Sequence, residues 1–362
     1  MTDITKLLCL FNEIVLPYKV KLFLSQNYSF NDLVYSFDKY EQEIKNSFGQ
    51  AICFKLKNAI SVENIEKSAQ KCQKLEINCV SYLDLNYPKC LKQIDDMPLV
   101  LYYKGDLSLL NKPCVAIVGT RKPTAYGREV TKKFAGELAK LGVVVVSGLA
   151  YGLDMEAAVA SLDAGGKTVA VLGGGLEKIY PAQNVNLAKR VEENGLLISE
   201  YPPSQSPSKF SFVMRNRLIS GLSLGTIIVE AGKSSGTLNT AKHTIEQGRE
   251  LFVIPGNIFS SSCEGSNALI EELPETFTIS PKSVIDRLKI KVEKPEEKKK
   301  NHIIGEQEKL IVNLLYERDL DFDNLQELTK IDSKSLISLL TRMEISGLIK
   351  KLPGNFYGLS VT

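Results

Sequence analysis

The chain contains no tryptophan, two histidines (His243 and His302) and no apolar run approaching the ~18 residues a membrane helix needs. Its cysteines (Cys9, Cys53, Cys72, Cys79, Cys90, Cys114 and Cys263) include no C-x-x-C pair, and two histidines add little to them, so a zinc site is not expected. An odd number of cysteines in apolar or helical stretches argues against a disulfide framework and for reduced thiols acting as small buried hydrophobes. The opening MTDITKLLCLFNEIV carries an early Asp3 and no small-residue cleavage site, so neither a signal peptide nor a membrane span is expected, and the reading is a cytoplasmic protein. An excess of one charge is missing as well: 45 Lys and Arg stand against 42 Asp and Glu. Residues 1–110 carry 13 basic and 13 acidic groups, 111–285 carry 18 and 16, 286–304 carry 7 and 4, and 305–362 carry 7 and 9. No segment is a basic arm, so any polyanion site must be a local pocket.

What remains is an ordinary globular composition, 44% hydrophobic and 24% charged over 362 residues, which implies two or three domains. Residues 1–85 read as short amphipathic helices, among them Asp3 to Glu13 and Ser61 to Lys74, the latter capped at Ser61. Residues 82–110 read as a Pro-punctuated connector with an edge strand at Leu99 to Tyr103. From Cys114, unbroken apolar runs alternate with helical segments: CVAIV (114–118), VVVVS (143–147), TVAVL (168–172), LLIS (196–199), TIIVE (226–230) and LFVI (251–254). This is the pattern of an open parallel sheet covered by crossover helices on both faces, a Rossmann-like α/β fold, within a domain spanning 86–285. Residues 286–304 form a charged linker, and 305–362 give three helix-sized segments and a Pro-Gly-Asn turn between two strands, a winged-helix domain.

In an open α/β sheet the ligand crevice lies beyond the carboxyl ends of the strands. The loops there are rich in Gly, Ser and Thr: Gly119-Thr120-Arg121; Ser147-Gly148-Leu149-Ala150 with Tyr151, Gly152 and Asp154; Gly173-Gly174-Gly175; and Ser235-Gly236-Thr237. Glycines admit a ligand to backbone amides, and helix N-termini add partial positive charge, which favours phosphate. The alternative is that they only make tight turns; several such loops on one edge favour the phosphate site. Lys178 stands where a dinucleotide fingerprint needs its third Gly or Ala, and Ile227 where a P-loop needs its first glycine, so neither NAD nor ATP chemistry is supported and no cofactor is expected. The segment Phe210 to Ser223 places Arg215, Asn216 and Arg217 in what reads as the first turn of a helix. Cations oppose the dipole there unless a phosphate or a carboxylate, Glu200 or Glu230, accepts them.

The runs AIVGTRKPTAYG, VVVSGLAYGLD, TVAVLGGGLEKIYPAQN, LLISEYPP, RNRLISGLS, SGTLNTA and VIPGNIFSSSCEGSNALI, in this order and spacing, resemble the DNA processing protein A family (DprA, also called Smf) over residues ~80–275. The N-terminal helices are similar to that family's sterile-alpha-motif-like domain in size and place, and the tail to its winged helix. The resemblance implies a Rossmann-fold homodimer that binds single-stranded DNA, protects incoming strands in natural transformation, loads a RecA-type recombinase, and performs no catalysis. It matches Arg121 to the family's phosphate-contacting arginine, Gly148, Leu149, Ala150, Gly152 and Asp154 to its SGLAxGxD turn, and Arg215, Asn216 and Arg217 to its RNR box. This chain departs from the family at Ala158, in place of a His, at Ala182-Gln183, in place of a lysine that Lys178 replaces, and at Val213, in place of a proline. Tyr151, Tyr180 and Phe212 are the candidates to stack unpaired bases. The alternative is a Rossmann-like nucleotide phosphohydrolase, whose motif continues to a catalytic glutamate where this chain has Thr240. Ala268, Leu269, Ile270 and Leu273 are read as lying near a dimer contact, and the winged helix, short of basic groups, as a regulatory or protein-interaction module rather than the main DNA site.

Overall fold

A computed structural model describes residues 1–291 and 305–359. The chain divides into two compact units, Met1–Lys294 and Pro295–Thr362.

The first unit opens with α1 (Asp3–Glu13), α2 (Tyr18–Asn27), α3 (Phe30–Tyr35), α4 (Phe37–Phe48), α5 (Gln50–Ala59) and α6 (Val62–Lys74). Local chemistry starts several of them. Thr2 caps α1 by accepting from Thr5 N–H, Ser29 and Asp32 form a capping box on α3, and Ser61 caps α6 as its sequence suggests. The sheet domain then runs β1 (Asn78–Ser81), β2 (Val100–Gly105), β3 (Cys114–Val118), α7 (Ala125–Lys140), β4 (Val144–Ser147), α8 (Leu153–Asp163), β5 (Thr168–Val171), α9 (Val185–Asn194), β6 (Leu196–Ser199), α10 (Lys209–Gly221), β7 (Gly225–Ile228), α11 (Thr237–Glu246), β8 (Glu250–Val253), α12 (Glu264–Glu272) and α13 (Pro281–Arg287).

Eight strands form one sheet in the order β1-β2-β6-β5-β4-β3-β7-β8. The six from β3 to β8 are parallel, and β1 and β2 join antiparallel at one side. Strand order reverses between β3 and β7, the point where doubly wound sheets open a crevice. Strands β3 to β7 are buried throughout, and alternate residues feed two cores. Val115, Ile117, Val145 and Ile227 pack with Phe134, Leu138 and Val284, while Cys114, Ala116, Val118 and Ile228 face the other side. Burial on both faces is why these strands read as unbroken apolar runs.

Two expectations change here. The strand at 99–103 is not an edge: β2 lies between β6 and β1, so the edge belongs to β1. The sheet therefore begins before residue 85, and the N-terminal side chains Leu7, Phe11, Leu24 and Leu56 share one continuous cluster with Leu101, Tyr102 and Leu197 of the sheet. Of the charged segment 286–304, Arg287 ends α13, and Leu288 and Ile290 pack on the Val284 side of the sheet; residues 292–304 lie outside the described residues.

The second unit contains α14 (Glu306–Glu317), β9 (Leu320–Asp321), α15 (Phe322–Thr329), α16 (Ser333–Ile345), β10 (Ile349–Leu352) and β11 (Phe356–Leu359). A three-stranded sheet in the order β10-β11-β9 flanks the three helices around Ile311, Leu325, Leu336, Leu340 and Met343. That is a winged helix. Arg342, one of the two basic residues in α16, is paired with Glu308 of α14 at 2.9 Å.

Candidate nucleic-acid interface

The loops after β3, β4 and β5 meet α10 at the carboxyl edge of the sheet. After β3, the Thr120 N–H donates to Glu230 O at 2.9 Å, and Arg121 turns outward, exposed, with its guanidinium 5.5 Å from the Phe212 ring. Thr124 then caps α7, and both its N–H (3.0 Å) and its hydroxyl donate to the Glu230 carboxylate, which is wholly buried. A buried carboxylate therefore sits against the helix end that would hold the pyrophosphate of a dinucleotide. Nothing local in the sequence links residues 124 and 230, so the sequence alone points to Glu230 only as a partner for arginines.

After β4, the SGLAxGxD turn is a folded scaffold. Ser147 and Leu149 are fully buried, with Leu149 held at φ +52°. Asp154, 6% exposed, accepts the Gly148 N–H at 3.0 Å, and burial pushes its carboxyl above the usual range against the opposing pull of Arg215. The Leu149 carbonyl accepts from Asn184 Nδ2 at 2.9 Å, so the asparagine of YPAQN is a scaffold residue that the sequence reading did not single out. Ala150 is half-buried, and the Tyr151 hydroxyl is bonded to Gln183.

Arg215 lies under these turns. The residue is 3% exposed, its guanidinium donates through Nη1 to Gly148 O (2.7 Å) and to Val171 O, and burial lowers its pKa to about 10. Gly148 must be glycine for this approach, since a Cβ there would stand 2.6 Å from Arg215 Cζ. Arg217 is 8% exposed and paired with Glu200 at 2.5 Å, with Lys21 of α2 nearby. Both placements correct the sequence reading. Helix α10 starts at Lys209, capped by Ser208 and Ser211, so the two arginines sit in its interior, and they bond to the protein itself rather than waiting at a helix end for phosphate. Asn216 is half-buried, accepts from Arg215 Nε (3.2 Å), and donates to Gly236 O (3.3 Å), beside a loop in which Ser235 and Thr237 hydrogen-bond each other.

What reaches the surface together is a crest of cations and aromatics. Phe212 is half-buried against the Gly173 backbone, where a Cβ would come within 2.7 Å of its ring, and the Tyr180 ring, half exposed, lies 5.6 Å from it at 45°. Gly173, Gly174, Lys178, Tyr180 and Phe212 line one shallow pocket, and the Arg121 guanidinium lies near the Phe212 ring. The Gly173 and Gly174 carbonyls already accept from the Ser211 and Ser199 hydroxyls, so these glycines shape the floor. Lys122, Lys178 and Lys233 are all exposed.

Fold and crest together define a Rossmann-like protein whose usual dinucleotide pocket is closed by its own carboxylate and whose open edge presents cations beside aromatic faces. The chain belongs to the DNA recombination-mediator protein A family, whose sequence profile matches residues 78–289. It is 45% identical over 197 residues to the Bacillus subtilis DNA processing protein DprA, covering 54% of this chain and 66% of that protein. To the Borreliella burgdorferi protein Smf it is 36% identical over 250 residues, covering 68% and 78%. The solved structure of Streptococcus pneumoniae DNA processing protein A superposes with a TM-score of 0.69 at 33% identity, over 79% of this chain and 98% of that one. A Helicobacter pylori DNA processing protein A structure, described for its single-stranded DNA binding mode, gives 0.54 at 34%, over 59% and 95%.

Proposed function

We propose that this chain binds single-stranded DNA along the crest and delivers it to a RecA-type recombinase in the cytoplasm, without catalysis. The observation that carries the reading is Phe212, with the Arg121 guanidinium 5.5 Å and the Tyr180 ring 5.6 Å from its ring: aromatic faces next to a cation are how unpaired strands are held without sequence preference. A duplex hides its base faces and gains less from such a surface. The direct phosphate contacts belong to Arg121, Lys178 and the exposed amides of the neighbouring loops, including Gly236. Arg215, Arg217, Asp154 and Glu230 shape the surface from beneath. Among the described residues, no helix is long and apolar enough to cross a membrane.

A gel shift with single-stranded and duplex oligonucleotides, run beside assays for phosphate and free-base release, tests this against the phosphohydrolase alternative. Preference for the single strand with no release is expected; equal affinity for duplex refutes the binding mode, and turnover of nucleotides refutes the absence of catalysis. Recombinase delivery is read from filament assembly on DNA already coated with a single-strand-binding protein. Assembly of a homodimer through the sheet domain completes the reading. Leu269 and Ile270 pack on the monomer's own core, so the better probes of a contact are Ile258 and Phe259, 77% and 91% exposed beyond β8. Light scattering of wild type beside Phe259→Asp should show a dimer and a monomer, and a monomeric wild type refutes the dimer.

A further inference from the structure

The Gly-rich turn after β3 is built like a phosphate loop but does not act as one. It runs into the N-terminus of α7, a helix of 16 residues with no acidic residue in its first turn, and such a helix end attracts an anion. The backbone donors of the turn are taken within the protein. Thr120 N–H donates to Glu230 O (2.9 Å), Lys122 N–H to Thr120 Oγ1 (3.2 Å), Thr124 N–H to the Glu230 carboxylate (3.0 Å) and Gly127 N–H to Thr124 Oγ1 (3.1 Å). Its glycines admit protein where a phosphate loop admits ligand: a Cβ on Gly119 would overlap the Leu153 side chain, and one on Gly127 would overlap the Glu230 carboxylate. That carboxylate also accepts from the Thr124 hydroxyl, and from Cys263 Sγ at 3.9 Å. Glu230 is wholly buried, yet among the described residues it forms no ion pair. A buried anion compensated by an amide, a hydroxyl and a helix dipole, with no cation beside it, has the surroundings of a bound phosphate. The next turn repeats the arrangement, with Asp154 in the first turn of α8 accepting the Gly148 N–H at 3.0 Å.

We propose that Glu230 is a specificity-determining residue, which fills the phosphate seat of this sheet edge from within and so keeps free phosphate groups, inorganic or on a mononucleotide, from binding there. The inference deepens the single-strand reading, and its meaning for DNA rests on that reading. A mononucleotide carries the same phosphate and base as a strand, so an open helix N-terminus would hold either one. Cations and aromatic faces spread along a crest instead favour a chain that meets several of them at once. Closing the single-phosphate seat leaves binding to the polymer. Glu230→Ala removes the carboxylate with one methylene and leaves the Thr124 amide and hydroxyl, at the positive end of α7, without their acceptor. An external anion should then take its place.

The test uses the full chain and inorganic phosphate without DNA, so a crest that bound no single strand would refute the DNA reading and leave this result untouched. Melting temperatures of the wild type, Glu230→Ala and Glu230→Gln are compared in phosphate and in chloride at equal ionic strength, the wild type supplying the general stabilisation that phosphate gives any protein. Glu230→Ala should melt below the wild type in chloride. In phosphate at about ten times its dissociation constant it should gain about 3–6 °C more than the wild type does. Glu230→Gln keeps the volume and an oxygen for the Thr124 N–H, so it should gain no more than the wild type. Should Glu230→Ala be unfolded in chloride, phosphate should restore its refolding from urea. A Glu230→Ala protein that gains no more than the wild type, or that refolds in neither buffer, overturns the proposal, as does a Glu230→Gln protein that gains as much as Glu230→Ala.

Discussion

Replacing Arg121 and Arg217 separately by alanine should give opposite results. The Arg217 guanidinium is 2.5 Å from a Glu200 oxygen, both side chains are at most 14% exposed, and one oxygen of Glu200 has no partner. Burial already raises the Glu200 carboxyl above its usual range, with Arg217 as the largest opposing influence and Lys21 a smaller one. Arg217→Ala leaves that carboxylate buried without its main counter-charge, a loss of about 3–5 kcal/mol. At about 2–4 °C per kcal/mol for a unit of this size, the melting temperature should fall by about 6–20 °C. Because a buried pair replaced as a whole by apolar groups is often close to neutral, Arg217→Met with Glu200→Met should recover much of the loss. Arg121 is exposed, and its contact with the Phe212 ring is of a kind worth about 0.5–1 kcal/mol, so Arg121→Ala should lower the melting temperature by no more than about 4 °C. A charge-assisted bond to phosphate contributes about 1.5–3 kcal/mol, so the same variant should bind single strands about 10–150-fold more weakly. Its salt dependence should be shallower by about 0.7. Thermal melts and fluorescence polarisation of a labelled oligonucleotide, run on both variants, decide the matter. An Arg217→Ala protein that melts with the wild type yet loses DNA would refute this division of labour, as would an Arg121→Ala protein that unfolds.

Phe212→Leu should reduce single-strand affinity by about 1–3 kcal/mol, measured by polarisation, while any residual duplex binding stays unchanged. Gly148→Ala drives a methyl into the Arg215 guanidinium and should cost about 1–3 kcal/mol in urea unfolding, an effect absent if that guanidinium can move aside. Removing residues 300–362 should leave single-strand affinity within a few-fold. The isolated winged helix, with Arg342 paired to Glu308 and Glu317, Asp319, Asp323 and Glu327 exposed, should retard neither DNA form at ~0.15 M salt. Tight binding by that fragment would move the DNA site out of the sheet edge.

The strands from Cys114 to Val253 are legible in the sequence because parallel strands buried on both faces need unbroken apolar runs, and the cap at Ser61 because a cap acts within a few residues of itself. The short strand NCVS is not legible: it has four residues, of which only Val80 and Ser81 are buried, and its pairing partner lies across the connector at Val100–Tyr103. Sequence also marked which loops line the crevice, since each follows its strand directly. It could not sort the arginines. Arg121, Arg215 and Arg217 carry the same charge in equally suggestive motifs, and what separates them is whether an acceptor is buried against each one. Glu200 is 17 positions before Arg217, the Gly148 and Val171 carbonyls are 67 and 44 before Arg215, and Glu230 reaches Thr124 across 106 residues. The sequence determined which groups exist and which short elements they favour; packing of distant segments in a low-dielectric interior decided which charges satisfy one another and which remain at the surface for a ligand.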